Sequence, residues 1–395
     1  MSQRHRDPSA RAAALAALAE RLAACGVNLS VEVPGIEMLR IGAQPTAARV
    51  VFRHAGALDP LLAGDHLGVA ESYLHGAIEI EGDWLEVMKV TEHLSVDATL
   101  AERARLWLRL LLRDRIAYDQ ESIAYHYDRP PEFFLPWLGR WRCYSHGLYT
   151  SEHDTLDAAI ARKLQWAIDA LGLEPGMRVL DMGGGWGCFV EYAGLRGIHV
   201  HALTISAVQH RFVSELIREK DLPCSVELVN FREHRPARHY DAAVFMGTFE
   251  HNPEYARAAR WLAANLVPGG RVWADFCAQR RDVTIGRFMK KWIWPGPITY
   301  VDPARWITAF VREGWNVHEV ADDTRSYACT VRDWGDALET NRKALAERFG
   351  EPAVRAFLLF LRGSQRFLLD NRTQAYHVVA GLDAAPLGAG AARRA

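Results

Sequence analysis

The chain holds 395 residues, 49% of them apolar and 24% charged, with 47 basic against 48 acidic side chains. This balance excludes wholesale disorder and a collagen-like fibre, and a formal net charge of −1 gives no overall reason to bind nucleic acid. The length fits one large domain beside a smaller one, and thirteen Trp suit either an apolar ligand or a well-filled core.

The N-terminus carries Arg4-His5-Arg6, an Ala/Leu-rich run and Leu22-Ala23-Ala24-Cys25, which looks like a lipoprotein cleavage box. The charged pair Glu20-Arg21 falls directly before that box, where a signal peptide must be apolar. The reading adopted is an amphipathic helix over 11–24, with Leu15, Leu18 and Leu22 on one stripe. No run approaches the roughly 20 apolar residues that cross a bilayer, so any membrane contact is expected to be peripheral. The six cysteines Cys25, Cys143, Cys188, Cys224, Cys277 and Cys329 lie far apart, without CxxC or a His/Cys ladder. Neither disulfides nor a structural zinc is expected, no metal ligands are assigned, and the default compartment is the cytoplasm.

Short alternating segments at 31–33, 38–41 and 50–52, broken by Pro and Gly, predict strands. With the stretch 67–83 they read as a small α/β module. A Leu- and Arg-rich stretch over 97–117 predicts a helix that links two domains or lies on an anionic surface. From 155 the pattern alternates helix and strand. Helices are expected near 155–171, 207–220 and 253–265, and strands at 177–181, 200–204, 225–229, 241–246 and 271–276, with a turn at Pro268-Gly269-Gly270. This βαβ rhythm predicts a doubly wound parallel sheet covered by helices on both faces. The last residues, 384–395, are small and basic and are expected to be disordered.

Asp181-Met182-Gly183-Gly184-Gly185-Trp186-Gly187 sits at the carboxyl end of the first strand of that sheet and opens a helix, where doubly wound sheets bind ligands. The glycines let backbone approach a ligand closely. Their spacing, Gly183-x-Gly185-x-Gly187, does not meet the dinucleotide fingerprint GxGxxG, and it suits S-adenosylmethionine better than NAD. Where the second strand ends, nucleotide-binding sheets usually place an acid for the ribose. Here Thr204-Ile205-Ser206-Ala207-Val208-Gln209 stands instead, and Thr204 and Gln209 offer neutral hydrogen-bonding groups.

Tyr125-His126-Tyr127-Asp128, Tyr144-Ser145, the glycine loop, Thr204-Ile205-Ser206-x-x-Gln209, Phe249-Glu250-His251 and Ser326-Tyr327-Ala328-x-Thr330 occur in an order that resembles the cyclopropane-fatty-acyl-phospholipid synthases, a family that includes the mycolic acid cyclopropane synthases. The resemblance covers 120–381, and 67–88 also looks like the small N-terminal domain of the phospholipid-acting members. It implies an α/β class I methyltransferase fold, a Rossmann-like doubly wound sheet, behind a small N-terminal α/β domain. The implied limits are 1–115 for a lipid-interaction or dimerisation domain with its linker helix, 116–382 for the methyltransferase, and 383–395 for the tail. The implied activity is transfer of a methyl or methylene carbon from S-adenosylmethionine to a double bond of an unsaturated phospholipid acyl chain. The enzyme would work from the cytoplasm, peripheral to the inner face of the membrane, possibly as a homodimer and without nucleic acid. Residue by residue, Tyr144 and Ser145 would contact the methionine end of the cofactor, Leu180 to Cys188 with Asp181 would form its loop, Thr204 to Gln209 would hold the ribose side, and Phe231-Arg232 would flank adenine. Pro295-Gly296 matches a segment near the acyl pocket, to which Trp292, Trp294 and Tyr300 would offer an apolar wall.

An alkene that attacks a sulfonium methyl leaves a carbocation, so the protein must exclude water, face the cation with π-systems or carboxylates, and supply a base. In the cyclopropane synthases a bound bicarbonate is that base, held near a Cys, a Glu, a His and a Tyr. The corresponding positions here are His146, Glu250, Asp275 and Tyr327. A carboxylate at 275 beside Glu250 should repel bicarbonate, so bicarbonate is doubtful as a cofactor. The expectation is instead a protein base, Asp275 or His146, with Glu250 orienting it; the alternative is that His146 and Asp275 form a structural ion pair. Two further readings stay open: a fatty-acyl C-methyltransferase giving a methyl-branched or methylene product without ring closure, and a lipid-binding relative without turnover.

Overall fold

The computed structural model describes residues 8–93, 129–279, 286–294 and 300–383. The motif Tyr125–Asp128, the helix expected over 97–117, Pro295-Gly296 and the tail 384–395 lie outside the described residues. Two compact units are present. Among the described residues no helix is long and apolar enough to cross a membrane.

The first unit combines residues up to 93 with 286–293 and 338–366. Its sheet has strands β1 (Leu29–Val33), β2 (Ile36–Ile41), β3 (Ala48–Phe52) and β4 (Ile78–Gly82), in the order β2-β1-β3-β4. The expected Leu stripe is real: Leu15 and Leu22 of the helix Pro8–Ala24 are buried. The unit is not contiguous in sequence, unlike the expected limits 1–115 and 116–382. A buried cation accounts for part of this. Arg355, 5% exposed, donates to the carbonyls of Tyr73 (2.9 Å) and Ile78 (3.2 Å) and to both carboxylate oxygens of Glu79. Fixing a planar guanidinium with this many acceptors ties the late helix Glu351–Leu369 to β4.

The second unit holds a seven-stranded sheet of β5 (Arg178–Met182), β6 (His199–Thr204), β7 (Ser225–Leu228), β8 (Tyr240–Met246), β9 (Leu266–Gln279), β10 (Asn316–Asp322) and β11 (Thr373–Gly381). The order is β10-β11-β9-β8-β5-β6-β7, parallel except that β11 runs antiparallel to both neighbours. Helices begin and end where local chemistry dictates. In Leu156–Leu171, the Thr155 hydroxyl caps the first turn through Ala158 N, and Gly172 ends the helix at φ +63°. Two apolar clusters sandwich the sheet. One holds Ile160, Leu164, Phe189, Val213 and Trp273; the other holds Phe245, Phe249, Leu262, Trp306 and Phe310.

β9 starts earlier than expected. Leu266 pairs with Tyr240 and Arg271 with Ala242, so Pro268-Gly269-Gly270 is a bulge inside the strand rather than a turn before it. Beyond the bulge, side chains alternate faces. Trp273 joins the first cluster and Ala274, Phe276 and Ala278 the second. Asp275 and Cys277 therefore share the face of Trp273.

Candidate active site

An open cleft of about 1160 Å³, solvent mouth included, lies over the carboxyl ends of β5, β6 and β8. Tyr144, Ser145, Asp181, Gly183, Gly185, Thr204, Gln209, Phe231 and Arg232 all line it. Gly187 does not. It caps the helix Cys188–Gly194 at φ +75°, and a Cβ there would meet Leu216 at 2.9 Å, so its role is packing. Gly183 has both reasons to be glycine: φ is +98°, and a Cβ would meet Thr248 Cγ2 at 2.6 Å. The Thr248 hydroxyl donates to Met182 O (2.7 Å), which locks the loop to the turn after β8.

The Thr204 hydroxyl donates to Gln209 Oε1 (3.0 Å), and Ser206 caps the helix Ala207–Glu219 through Gln209 N. Among the described residues two guanidinium groups line the cleft, and both face carboxylates. Arg142 bonds Glu191, and Arg232 bonds Glu254 at 2.9 Å. With neutral polar groups at one end, Phe231 at the wall and no uncommitted cation in the lining, the cleft fits a nucleoside without phosphates better than a dinucleotide. Asn230, Met246, His251 and Asn252 also line it. His251 belongs to the Phe249-Glu250-His251 motif, whereas Asn230 and Asn252 are isolated polar residues and Met246 ends β8, none of them marked by a sequence motif.

The loop bearing Tyr144, Ser145 and His146 is clamped from two sides. Gly147 N donates to Thr330 Oγ1 and Tyr149 N to Ser326 Oγ, each at 3.0 Å. The motif Ser326-Tyr327-Ala328-x-Thr330 thus presents three side chains from one helical turn, with Tyr327 toward His146 (ring centroids 5.1 Å). Gly147 permits this approach, because a Cβ there would meet Ala159 Cβ at 2.9 Å.

Asp275 is fully buried and fully engaged. It accepts from Lys163 Nζ (2.9 Å), Ser145 Oγ (3.0 Å) and Gly247 N (2.6 Å). Lys163, also 0% exposed, donates to Ser145 Oγ as well (2.6 Å). Burial alone would push its ammonium down, but the Asp275 carboxylate outweighs this and holds it above its ordinary value. This corrects the expected alternative of an ion pair between Asp275 and His146: the partner of Asp275 is Lys163, and three hydrogen bonds hold the carboxylate in place. Sequence reasoning missed Lys163, which lies inside an amphipathic helix and carries no motif.

His146 pairs elsewhere. Its Nε2 lies 3.0 Å from Asp323 Oδ2, which also meets His377 Nδ1 at 2.6 Å. Burial pushes the Asp323 carboxyl up, but the two imidazoles outweigh it and hold it well below the usual range. With Nε2–H directed at Asp323, the His146 ring presents Nδ1, a buried nitrogen with no hydrogen-bond partner among the described residues, as a proton acceptor.

Glu250 arrives on a short 3₁₀ turn, Phe249–His251. Phe249 anchors it, stacked on Phe245 at 4.4 Å and edge-on to Trp306 at 5.7 Å. Cys277 N donates to Glu250 Oε1 (2.7 Å). Burial, with the charge of Asp275 as a smaller contribution, raises the Glu250 carboxyl to about 8, so it is protonated at neutral pH. Tyr327 is pushed far above its usual value by burial and then by the fields of Cys277 and Glu250. Glu250, Tyr327, Cys277 and Asp275 are thereby within electrostatic reach of one another. Rings surround the site: Tyr144 lies 5.3 Å from Trp334 and 5.6 Å from Phe134, and Trp334 lies 6.2 Å from Tyr327. Of the expected acyl wall, Trp294 packs on His251 (5.2 Å), whereas the Trp292 indole donates to Glu71 in the first unit.

The profile of the mycolic acid cyclopropane synthetase family matches residues 115–378. A probable fatty acid methyltransferase of Mycobacterium tuberculosis is 28% identical over 366 residues, covering 82% of this chain and 84% of its own. The tuberculostearic acid methyltransferase of the same organism is 28% identical over 390 residues, covering 90% and 88%. The solved cyclopropane synthase MmaA2 of M. tuberculosis shares the fold, with TM-score 0.62 at 22% identity over 66% of this chain and 98% of its own.

Proposed function

The chain belongs to the mycolic acid cyclopropane synthetase family of S-adenosylmethionine-dependent methyltransferases, and from that premise we propose that it adds a carbon to a double bond within an unsaturated phospholipid acyl chain. The observation that supports this reading is the chain of ring contacts Phe134, Tyr144, Trp334 and Tyr327, which runs from Tyr144 in the lining of a cleft suited to a phosphate-free nucleoside into the buried interior, where Glu250 lies within the electrostatic reach of Tyr327. The relatives named as fatty acid and tuberculostearic acid methyltransferases support a fatty-acyl substrate.

Bound S-adenosylmethionine supplies an electrophilic methyl carbon. Ser145, Asp181, Thr204, Gln209 and Phe231, which line the cleft, would hold it, and Gly183 and Gly185 would admit it to the backbone. An alkene that gains this carbon becomes cationic at the neighbouring carbon. Ring faces stabilise that charge by about 0.5–2 kcal/mol each when dry, and they offer no nucleophile to trap it. Protonated Glu250 adds no negative charge to capture the cation and keeps its geometry through Cys277 N.

The cation must then lose a proton. His146 is the base in this proposal: Asp323 fixes its tautomer, as the acid of a hydrolytic triad fixes its histidine. Loss from the added carbon closes a cyclopropane, and loss elsewhere after a hydride shift leaves a branched or methylene chain. The Asp275–Lys163 pair supports a second element of the reading, turnover without bicarbonate, since Asp275 stands at the sequence position matched to a histidine that helps hold bicarbonate in cyclopropane synthases, and its own charge is already paired. The test is turnover of purified enzyme on vesicles containing unsaturated phospholipid, in decarbonated buffer and with added bicarbonate, with products resolved by mass spectrometry. No added carbon in any acyl chain would sink the function. Strict dependence on bicarbonate would sink the protein base. Co-sedimentation with the same vesicles tests the accompanying proposal that the enzyme works at a membrane surface.

A further inference from the structure

Away from the cleft, on the sheet edge formed by β6 and β7, three metal-ligating side chains converge. His201 stands on β6, Glu227 on β7, and His234 in the loop that follows. His201 Nε2 lies 3.2 Å from Glu227 Oε2, and His234 Nδ1 lies 2.9 Å from the same oxygen. One ligand atom from each residue lies within 4.8 Å of the other two. Four ligands held at about 2.0–2.1 Å around a tetrahedral ion stand roughly 3.3 Å apart, so small side-chain rotations bring this trio to ligand spacing. We propose that His201, Glu227 and His234 form a binding site for a zinc-class divalent transition-metal ion, with the fourth position open to water.

The surroundings are those of a supported site. The far nitrogen of each ring meets a hydroxyl: His201 Nδ1 lies 2.7 Å from Ser225 Oγ, and His234 Nε2 lies 2.9 Å from Tyr240 OH. Such partners orient metal-binding imidazoles. A hydroxyl can donate or accept, so the same two groups serve whether the inner nitrogens carry protons toward Glu227 or lone pairs toward a metal. His234 is nearly buried at 5% exposed, whereas the Glu227 side chain is 44% exposed and leaves a path to solvent. Two nitrogens and one carboxylate oxygen suit zinc, and copper(II) or nickel(II) as competitors. The neighbouring cations, Arg178 over the Tyr240 ring at 4.9 Å and Arg235, oppose a second positive charge, so the affinity falls short of that of a buried all-protein cage.

The donors are scattered over 34 positions (201 to 234) with no motif spacing, which is why the sequence gave no metal expectation. The segment between two of them is Val229, Asn230, Phe231 and Arg232, one wall of the cleft. A metal joining 227 to 234 would close that segment into a short tethered loop and stiffen the wall.

The test uses untagged full-length protein stripped with a chelator. Cobalt(II) titration followed by visible absorption should give one equivalent with the intense bands of a low-coordinate N/O site, displaced stoichiometrically by zinc. His201→Gln and His234→Gln should each weaken binding at least roughly tenfold. Glu227→Gln, at a half-exposed position that threatens folding least, should do the same. Zinc should raise the melting temperature of the parent protein and leave the three variants unmoved. Absence of saturable cobalt binding at micromolar concentrations overturns the proposal, as does binding that survives Glu227→Gln and either histidine variant undiminished.

Discussion

Glu250→Gln should make the protein more stable, and the gain should depend on pH. The carboxyl is raised from an ordinary 4.5 to about 8 by burial. Because the folded value is raised, the contribution is fully present below about 4.5 and is lost as pH rises through about 8. At pH 7 the unfolded chain has released this proton and the folded one has not. Holding it costs 1.36 kcal/mol per pH unit over roughly 2.5 units, on the order of 3 kcal/mol. Glutamine is isosteric with the protonated acid and keeps an acceptor for Cys277 N. The variant should therefore gain on the order of 3 kcal/mol at pH 7, a rise of roughly 6–12 °C in melting temperature for a unit of this size. Denaturant unfolding of both proteins at pH 5, 6, 7 and 8 measures the difference directly. It should be small at pH 5 and widen to pH 8. A difference that is flat across this range, or a variant less stable at pH 8, would refute the claim that Glu250 is held un-ionised.

Three other perturbations probe the same site. Asp323→Asn leaves His146 without its orienting carboxylate and should lower turnover roughly 10²–10⁴-fold with little change in cofactor binding, measured by single-turnover kinetics beside calorimetry; unchanged turnover would remove His146 as the base. Lys163→Met strands a buried Asp275 and should cost about 3–5 kcal/mol, whereas adding Asp275→Asn should restore most of it, and a cost near zero for the single change would contradict the pairing. Hydrogen bonding from Cys188 and the Lys163 ammonium pull the Cys143 thiol down, while burial pushes Cys224 and Cys329 up. Iodoacetamide should therefore label Cys143, which lines the cleft, ahead of those two, and S-adenosylhomocysteine should block it; peptide mass spectrometry showing no protection would place Cys143 outside the cofactor's reach.

The parallel sheet was legible because its signals are local. Apolar runs of strand length, Gly172 after a periodic helix and the glycine loop after β5 each act within a few residues. The lining of the cleft was legible for the same reason, since Gly183, Gly185, Thr204 and Gln209 lie at strand ends that topology brings together. Gly187 was misread because a positive φ for helix capping and a positive φ for ligand approach leave the same letter in the sequence. The proton-handling side was illegible where it depends on partners far along the chain. Lys163 and Asp275 are 112 positions apart, and His146 and Asp323 are 177 apart. Nothing within either neighbourhood announces a partner on β9 or beside β11. The first unit's late helix was hidden likewise, because Arg355 reaches back 276 positions to Glu79.

Asp275 and Lys163 make sense only as a pair. A carboxylate at 275 with no cation would stand 0% exposed and unpaired, at a cost no fold of ordinary stability tolerates. A lysine at 163 without Asp275 would be as costly. Together they form a neutral cluster with Ser145 and the Gly247 amide, and that cluster has a consequence for the chemistry. Any exogenous anion at this place would meet a carboxylate whose compensating charge is already 2.9 Å away and directed at Asp275, not outward. On the proposed reading this place holds no mobile anion, so proton removal falls to a group with an unpartnered lone pair. Among the described residues around Tyr327, His146 has that lone pair on Nδ1 and a carboxylate behind its other nitrogen. On the proposed reading the two features work together: the Asp275–Lys163 pair leaves no place for an exogenous anion, and the Asp323–His146 dyad supplies the base.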